Sequence, residues 1–244
     1  MSQKTPLPAL LLASAVDNGH IPQIHQHIGQ VDLANSLHPK GHPWLVAHLL
    51  FNRLEPYLVE VAGILMAHGA PPNRTSHSTH SPLAMALGMG NRDLVGHLLN
   101  AGADPDDVDP DGWSALMRLY LRPSTGYFGF GTPAYDDHCV ALAKILLKAG
   151  ANPNLQGFSG VNTALMLAAD RGLSGLCQVL IDFGAKVDIR DSSGRRPSDR
   201  ARLADRAACL EVISEAERVV DAQTDLQVLT PEVAQATRPR PSRL

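Results

Sequence analysis

The chain has 244 residues, 44% of them hydrophobic and 18% charged, with a formal net charge of -3. This is too apolar for a disordered polypeptide, and the balance is too even for a basic nucleic-acid binder. No apolar run approaches the roughly 18 residues of a membrane span. Taken in chain order, Leu7 to Val16 is a first apolar helix, followed by Asn18-Gly19-His20 and Ile24. Its single preceding lysine makes a poor charged leader region, so the segment is read as a helix of the fold and not as an export signal. Farther along, Gly69-Ala70, Gly102-Ala103, Gly150-Ala151 and Gly184-Ala185 each close a leucine-rich helix, and each is followed by Asn or Asp at 73, 106, 154 and 188. The spacings are 33, 48 and 34 residues, the middle one being 33 plus a 15-residue insertion. Self-similarity at this period means stacked helical hairpins and not one closed core.

A second set of landmarks keeps the same register. Ser81-Pro82, Ser114-Ala115, Thr163-Ala164 and Arg196-Pro197 mark helix starts, where a hydroxyl accepts from exposed first-turn amides and proline sacrifices no helical bond. Gly90 and Gly172 mark the turn into a second helix, whose apolar face is Leu94-Val95-Leu98-Leu99 or Leu176-Val179-Leu180.

On these residues the chain resembles the ankyrin-repeat family, most closely from Gly102 through Leu116. The resemblance implies an all-α repeat solenoid of about six stacked helix-turn-helix units with β-hairpin turns. The expected organisation is an N-terminal extension at 1–9 and a solenoid at 10–221. Its units are 10–40, 41–73, 74–106, 107–154 with an insertion at 121–136, 155–188 and 189–221, before a disordered Pro/Arg tail at 222–244. The arginines after Arg195 suit the polar outer face that a terminal unit must show to water.

Charge is unevenly spread: residues 101 to 185 carry nine acids against five bases. No segment forms the basic stripe that phosphate binding requires, so nucleic acid is not an expected ligand. Asp104, Asp106, Asp107, Asp109 and Asp111 form the sharpest acidic cluster. Such residues bond their own backbone in turns, while the family pattern puts Asp107 at a projecting tip. The cluster lacks the loop glycine and final glutamate of an EF-hand.

The insertion is the feature that the repeat explains least. Five of the chain's nine tyrosines and phenylalanines lie between Tyr120 and Tyr135. Clustered aromatics dominate interface hot spots, and a loop of this length inside a compact repeat is often functional. The alternative is that Phe128 and Phe130 plug the groove between units. A smaller insertion, Phe51 to Tyr57, sits at the corresponding turn of the second unit, so two protrusions are expected on one rim.

Catalytic signatures are absent from the sequence: Gly157-Phe158-Ser159-Gly160 is no nucleophile elbow, and Gly126 to Gly131 lacks the order and lysine of a phosphate loop. His77 and His80 have no neighbouring acidic or cysteine ligands, so no metal or cofactor is expected. Three cysteines, Cys139, Cys177 and Cys209, fall on helices without metal-like pairing and suit a reducing compartment. Cytoplasmic location and a monomer are the expectations.

The expected activity is non-catalytic binding of one protein partner, which the chain inhibits or escorts. Candidate contact residues are Asp107, Asp109, Trp113, Arg118, Tyr127, Phe128, Phe130, Tyr135, Phe158, Asp170 and Arg195. The resemblance extends to small stand-alone bacterial immunity proteins and so implies a basic toxin or enzyme as one candidate partner. A secreted effector that binds a host protein, and a structural scaffold or assembly factor, remain open beside it.

Overall fold

The computed structural model describes residues 7–51, 56–75, 81–109, 112–119, 132–157 and 162–236. Among these, twelve α-helices pair into six stacked units: α1 (Leu7–Asp17) with α2 (Ile21–His27), α3 (Trp44–Phe51) with α4 (Leu58–Ala67), and α5 (Pro82–Met89) with α6 (Arg92–Asn100). The series continues with α7 (Ala115–Arg118) and α8 (Pro133–Lys148), α9 (Ala164–Arg171) and α10 (Ser174–Asp182), and α11 (Pro197–Leu203) and α12 (Ala207–Ala236). First helices stack on first helices and second on second, as in α9 on α11 and α8 on α10. The chain is therefore an all-α repeat solenoid.

The helices start and stop where local chemistry requires. Ser81, Ser114 and Thr163 accept from the amides of Ala84, Met117 and Met166, three residues on. Each Gly-Ala exit is a left-handed reversal: Gly150 has φ +95°, its N–H donates to Leu147 O, and the Ala151 N–H reaches Leu146 O at 3.1 Å. This double bond satisfies the last helical carbonyls, and Ala70, Ala103, Ala151 and Ala185 are buried behind it. Between helices the left-handed residue is Gly19, Gly90 or Gly172, but the sixth unit uses Asp205 at φ +55°. Arg206 N–H still closes that turn on Ala201 O at 2.8 Å.

The hairpin turns are present as hydrogen-bonded loops without strands among the described residues. The backbone N–H groups of Asp109 and Asp191 each donate to the carbonyl four residues on, Trp113 or Arg195, and His38 N–H does the same to His42 O. A turn carboxylate completes each acidic hairpin. Asp191 Oδ1 accepts from the amides of Ser193 and Arg195 at 2.9 and 3.0 Å, and the Arg195 amide foremost holds that carboxyl below its usual range.

The Asn or Asp after each exit keys one unit to the next. Asn73 Nδ2 donates to Gly102 O at 3.0 Å and its Oδ1 accepts from Asp104 N at 2.7 Å. Asn154 repeats this on Gly184 O and Lys186 N at 2.9 and 2.7 Å. Asp106 accepts from Asn152 N at 2.8 Å but, as a carboxylate, has no N–H for Gly150 O.

Several expected boundaries move. α1 runs from Leu7 and buries Ala9, so residues 7–9 of the expected extension belong to the first helix. The expected tail at 222–244 is helical as far as Ala236. The insertion ends before Pro133, which opens α8, and Thr132 caps that helix through the Tyr135 amide.

Of the second expected protrusion, residues 52–55 lie outside the described residues, and Tyr57 at its end is packed, with its ring over Gly19. A Cβ at Gly19 would sit 2.3 Å from that ring. Tyr57 OH donates to Asp17 O at 3.0 Å, and the ring stacks on His48. The His48 Nε2–H donates to Leu58 O at 3.0 Å. Burial pushes the His48 pKa down to about 4, partly opposed by that bond.

Two stability outcomes follow from these joints. Asn154→Ala should lower unfolding stability by about 0.5–1.5 kcal/mol, because it removes two solvent-exposed bonds between units. Asp106→Asn should raise it by up to about 1 kcal/mol by supplying the missing donor. Urea unfolding of both variants checks this. His48, neutral when folded, binds protons more weakly than in the unfolded chain. Its contribution is complete above pH 6.5 and is lost as pH falls from 6.5 to about 4. The loss should reach roughly 3 kcal/mol. Thermal melts across that range should show the decline, and His48→Gln should flatten it.

Candidate functional site

The concave face is built from hairpins and first helices. In unit 4 the buried Asp109 carboxylate accepts from Trp113 N at 2.8 Å and pairs with Arg118. Burial pulls the Arg118 pKa down, and the Asp109 carboxylate pairs with its Nη2. Unit 6 repeats the device: Asp191 lies nine residues before Arg200, as Asp109 lies before Arg118, with Arg200 Nη1 at 3.6 Å.

Arg200 also joins units 5 and 6. Its Nε donates to Asp170 Oδ1 at 2.9 Å, its Nη2 pairs with Asp170 Oδ2, and its Nη1 donates to Asn162 Oδ1. Such bidentate pairing fixes both side chains. Arg195 Nε donates to Asp191 Oδ2 at 2.9 Å. Arg206 Nε reaches Asp170 O at 3.3 Å.

Each residue singled out from the sequence can now be placed. Asp170 and Arg195 meet at one cup between units 5 and 6, and Trp113 is half-buried against the core. Asp107 turns toward Arg74 Nη2, 3.6 Å away, and does not project as a tip residue. Asp109 and Arg118 neutralise each other. Tyr135 is corrected from contact residue to core: it is 1% exposed in α8, because its hydroxyl donates to Leu119 O at 3.0 Å. Tyr127, Phe128, Phe130 and Phe158 lie outside the described residues, as do His77 and His80.

The root of the insertion is well built. α7 is a single turn, and its exit carbonyl at Leu119 accepts from both Tyr135 OH and Cys139 Sγ, the latter at 3.4 Å. Burial raises the Cys139 thiol to about 11 and holds the Tyr135 phenol protonated. Asp136, expected in the insertion, instead caps α10 of the next unit. It accepts from Gly175 N at 2.7 Å and Leu176 N at 2.9 Å, where α10 has no cap of its own.

Arg200, expected on the polar outer face of the last unit, is instead 16% exposed and bound between units, and Asp136, Asn162 and Asp191 are functional positions that the sequence did not mark. The repeated nine-residue Asp-Arg spacing was a usable signal for Asp191 and Arg200. Asp136 and Asn162 answer to neighbouring units and leave no local signature.

Elsewhere, His25, Val59, Ile64, His68 and His97 line a cavity of 610 Å³ on the second-helix face. Among the described residues no cluster of three or more His, Cys, Asp or Glu could hold a metal ion, and no helix is long and apolar enough to cross a membrane.

Comparison with known proteins agrees with this architecture. The family model described as Ankyrin repeat matches residues 162–192, from the end of the unit 5 hairpin to the start of the unit 6 hairpin. The chain is 31% identical over 119 residues to human cyclin-dependent kinase 4 inhibitor B, covering 49% of this chain and 75% of that protein. It is 35% identical over 141 residues to the glycerophosphocholine phosphodiesterase gde1 of Schizosaccharomyces pombe, covering 57% of this chain but 11% of that enzyme. A putative ankyrin repeat-containing protein of Treponema pallidum is 32% identical over 122 residues, at 50% and 36% coverage. The chain thus spans well under two thirds of several of these relatives. The crystal structure of an ankyrin repeat domain from Acinetobacter baumannii superimposes with TM-score 0.69 at 22% identity, over 84% of this chain and 97% of that one, a match of fold.

The chain belongs to the ankyrin-repeat family, whose fold ordinarily serves as a non-catalytic module for protein–protein interaction.

Asp136→Ala should uncap α10 and lower stability by about 0.5–2 kcal/mol, while Asp136→Asn should keep much of the cap and lose the charge contribution at the helix N-terminus. Thermal denaturation of the two variants side by side gives the comparison.

Proposed function

We propose that this chain binds one protein partner through the concave face of units 4 to 6 and the insertion after Leu119, and acts by covering that partner's surface. The observation that carries the reading is the double acceptance at Leu119 O, which fixes the residue that precedes the aromatic-rich stretch of sequence from Tyr120 to Gly131. Tyr127, Phe128 and Phe130 would then add contact area from a rigid base, at the low entropic cost that makes aromatics effective anchors. Trp113, Arg118, Asp170 and Arg195 belong to the adjoining face.

Occlusion suits an inhibitor or escort. Two similar proteins are named as cyclin-dependent kinase inhibitors, which supports inhibition as a task for a chain of this build. Neutralisation of a cognate bacterial toxin is one form such inhibition takes. The three free, buried thiols support action in a reducing compartment such as the cytoplasm, as a monomer facing a different chain.

Capture of partners from the source organism's lysate tests the reading, with the wild-type chain beside a Tyr127→Ser, Phe128→Ser, Phe130→Ser variant. The expected result is one protein held by the wild type and depleted at least tenfold with the variant, at unchanged melting temperature. Equal capture would remove the insertion from the binding site. A lowered melting temperature with unchanged capture would favour a structural plug.

A further inference from the structure

The charge that the concave face of units 4 to 6 shows to a partner is opposite to the one its sequence suggests. Carboxylates are numerous there, yet in most ion pairs the acid is the buried member. Side-chain exposure is 4% for Asp109 against 26% for Arg118, 0% for Asp191 against 45% for Arg195, and 17% for Asp107 against 32% for Arg74. The Asp170–Arg200 pair alone reverses this, at 27% against 16%. Asp104 and Asp106 are spent on the amides of Asp106 and Asn152. In these three pairs the acid is used inward and the guanidinium edge faces out.

This bias is concentrated where units 5 and 6 meet. Asp170, Arg195, Arg200, Leu203 and Ala204 line a cup of 220 Å³, and Arg206 is tied to its edge through Asp170 O. Three guanidiniums there face two carboxylates, one of which, Asp191, is buried. Asp191 holds the Nε edge of Arg195, so that side chain is oriented before a partner arrives. Beside the cup, Leu203 is 70% exposed.

A cationic rim next to an exposed leucine fits a definite chemistry. We propose that the cup receives an Asp or Glu side chain of the protein partner at Arg195, with an adjacent apolar residue seated on Leu203. The inference rests on the protein-binding function proposed above and identifies the partner's contacting segment as acidic and apolar. An ordered guanidinium fork favours a carboxylate over a cation. Asp170, the carboxylate that lines the cup, is already gripped by Arg200 through two bonds and is not free to receive a basic side chain.

The test uses a random dodecapeptide library displayed against the full chain, with Arg195→Glu and Leu203→Ser as counter-targets. The wild type should enrich sequences carrying Asp or Glu next to Leu, Ile, Met or Phe. A synthetic peptide from that pool should bind Arg195→Glu at least tenfold more weakly and Leu203→Ser several-fold more weakly, and its affinity for the wild type should fall with added salt. Arg195→Lys should retain part of the binding. Asp191 keeps its backbone donors and Arg200 in each Arg195 variant, and a melting curve verifies that the fold persists.

A basic consensus, no enrichment, or an acidic consensus equally well bound by Arg195→Glu would overturn the proposal. Partner capture distinguishes this failure from that of the broader reading. A partner lost with the insertion variant but retained by Arg195→Glu would leave the binding function standing without the acidic contact. Loss with Arg195→Glu alone would keep the cup and remove the insertion.

Discussion

The structure depends on the bond by which one unit's Asn or Asp grips the exit turn of the next. No helix pair here can close a core alone, because each buries one flank on the preceding unit and the other on the following one. Apolar flanks attract without direction, and so would permit sliding or rotation between units. The side chain of Asn73 or Asn154 removes that freedom by engaging a glycine carbonyl and the amide two residues later. The exit must be left-handed for those groups to face back, which is why Gly occupies the position.

With register fixed, chemistry recurs at chosen places. Hairpin carboxylates at Asp109 and Asp191 fall in the same relation to Arg118 and Arg200, and both pairs line one face. Each aspartate closes its turn and anchors an arginine in the same act. The electrostatic result is a face whose acids are consumed by the fold, leaving arginine edges to meet other molecules. Opposed charges in a linear count thus give little guide to the outward potential.

The insertion in unit 4 obeys a related constraint. Interrupting a first helix after one turn orphans its final carbonyl, a costly group to bury unpaired. Tyr135 and Cys139, from the first turns of α8, supply donors to it. The insertion was thereby accommodated without opening the stack, and Asp136 in the same helical turn reaches onward to cap α10. A break in one unit is repaired by side chains that also bind the next.

The repeat, its period, the helix-start hydroxyls and the left-handed glycines were determined by sequence, since each is a local requirement on one residue's backbone or on helical spacing. The sixth unit's use of Asp205 shows the limit even of local rules, because a short polar side chain tolerates the left-handed region without announcing it. What only the tertiary structure decided is which way side chains spend their bonds. Tyr135 sits in an aromatic cluster that resembles a contact surface, and Asp107 in a turn that resembles an exposed tip, yet one answers to Leu119 and the other to Arg74. The reach of α12 past residue 222 likewise followed neither apolar period nor proline content. Bonds between units join residues 29 to 46 positions apart, as from Asn73 to Gly102 and Asp106 to Asn152. Their partners are set by how one hairpin stacks on another, and no local pattern records that geometry.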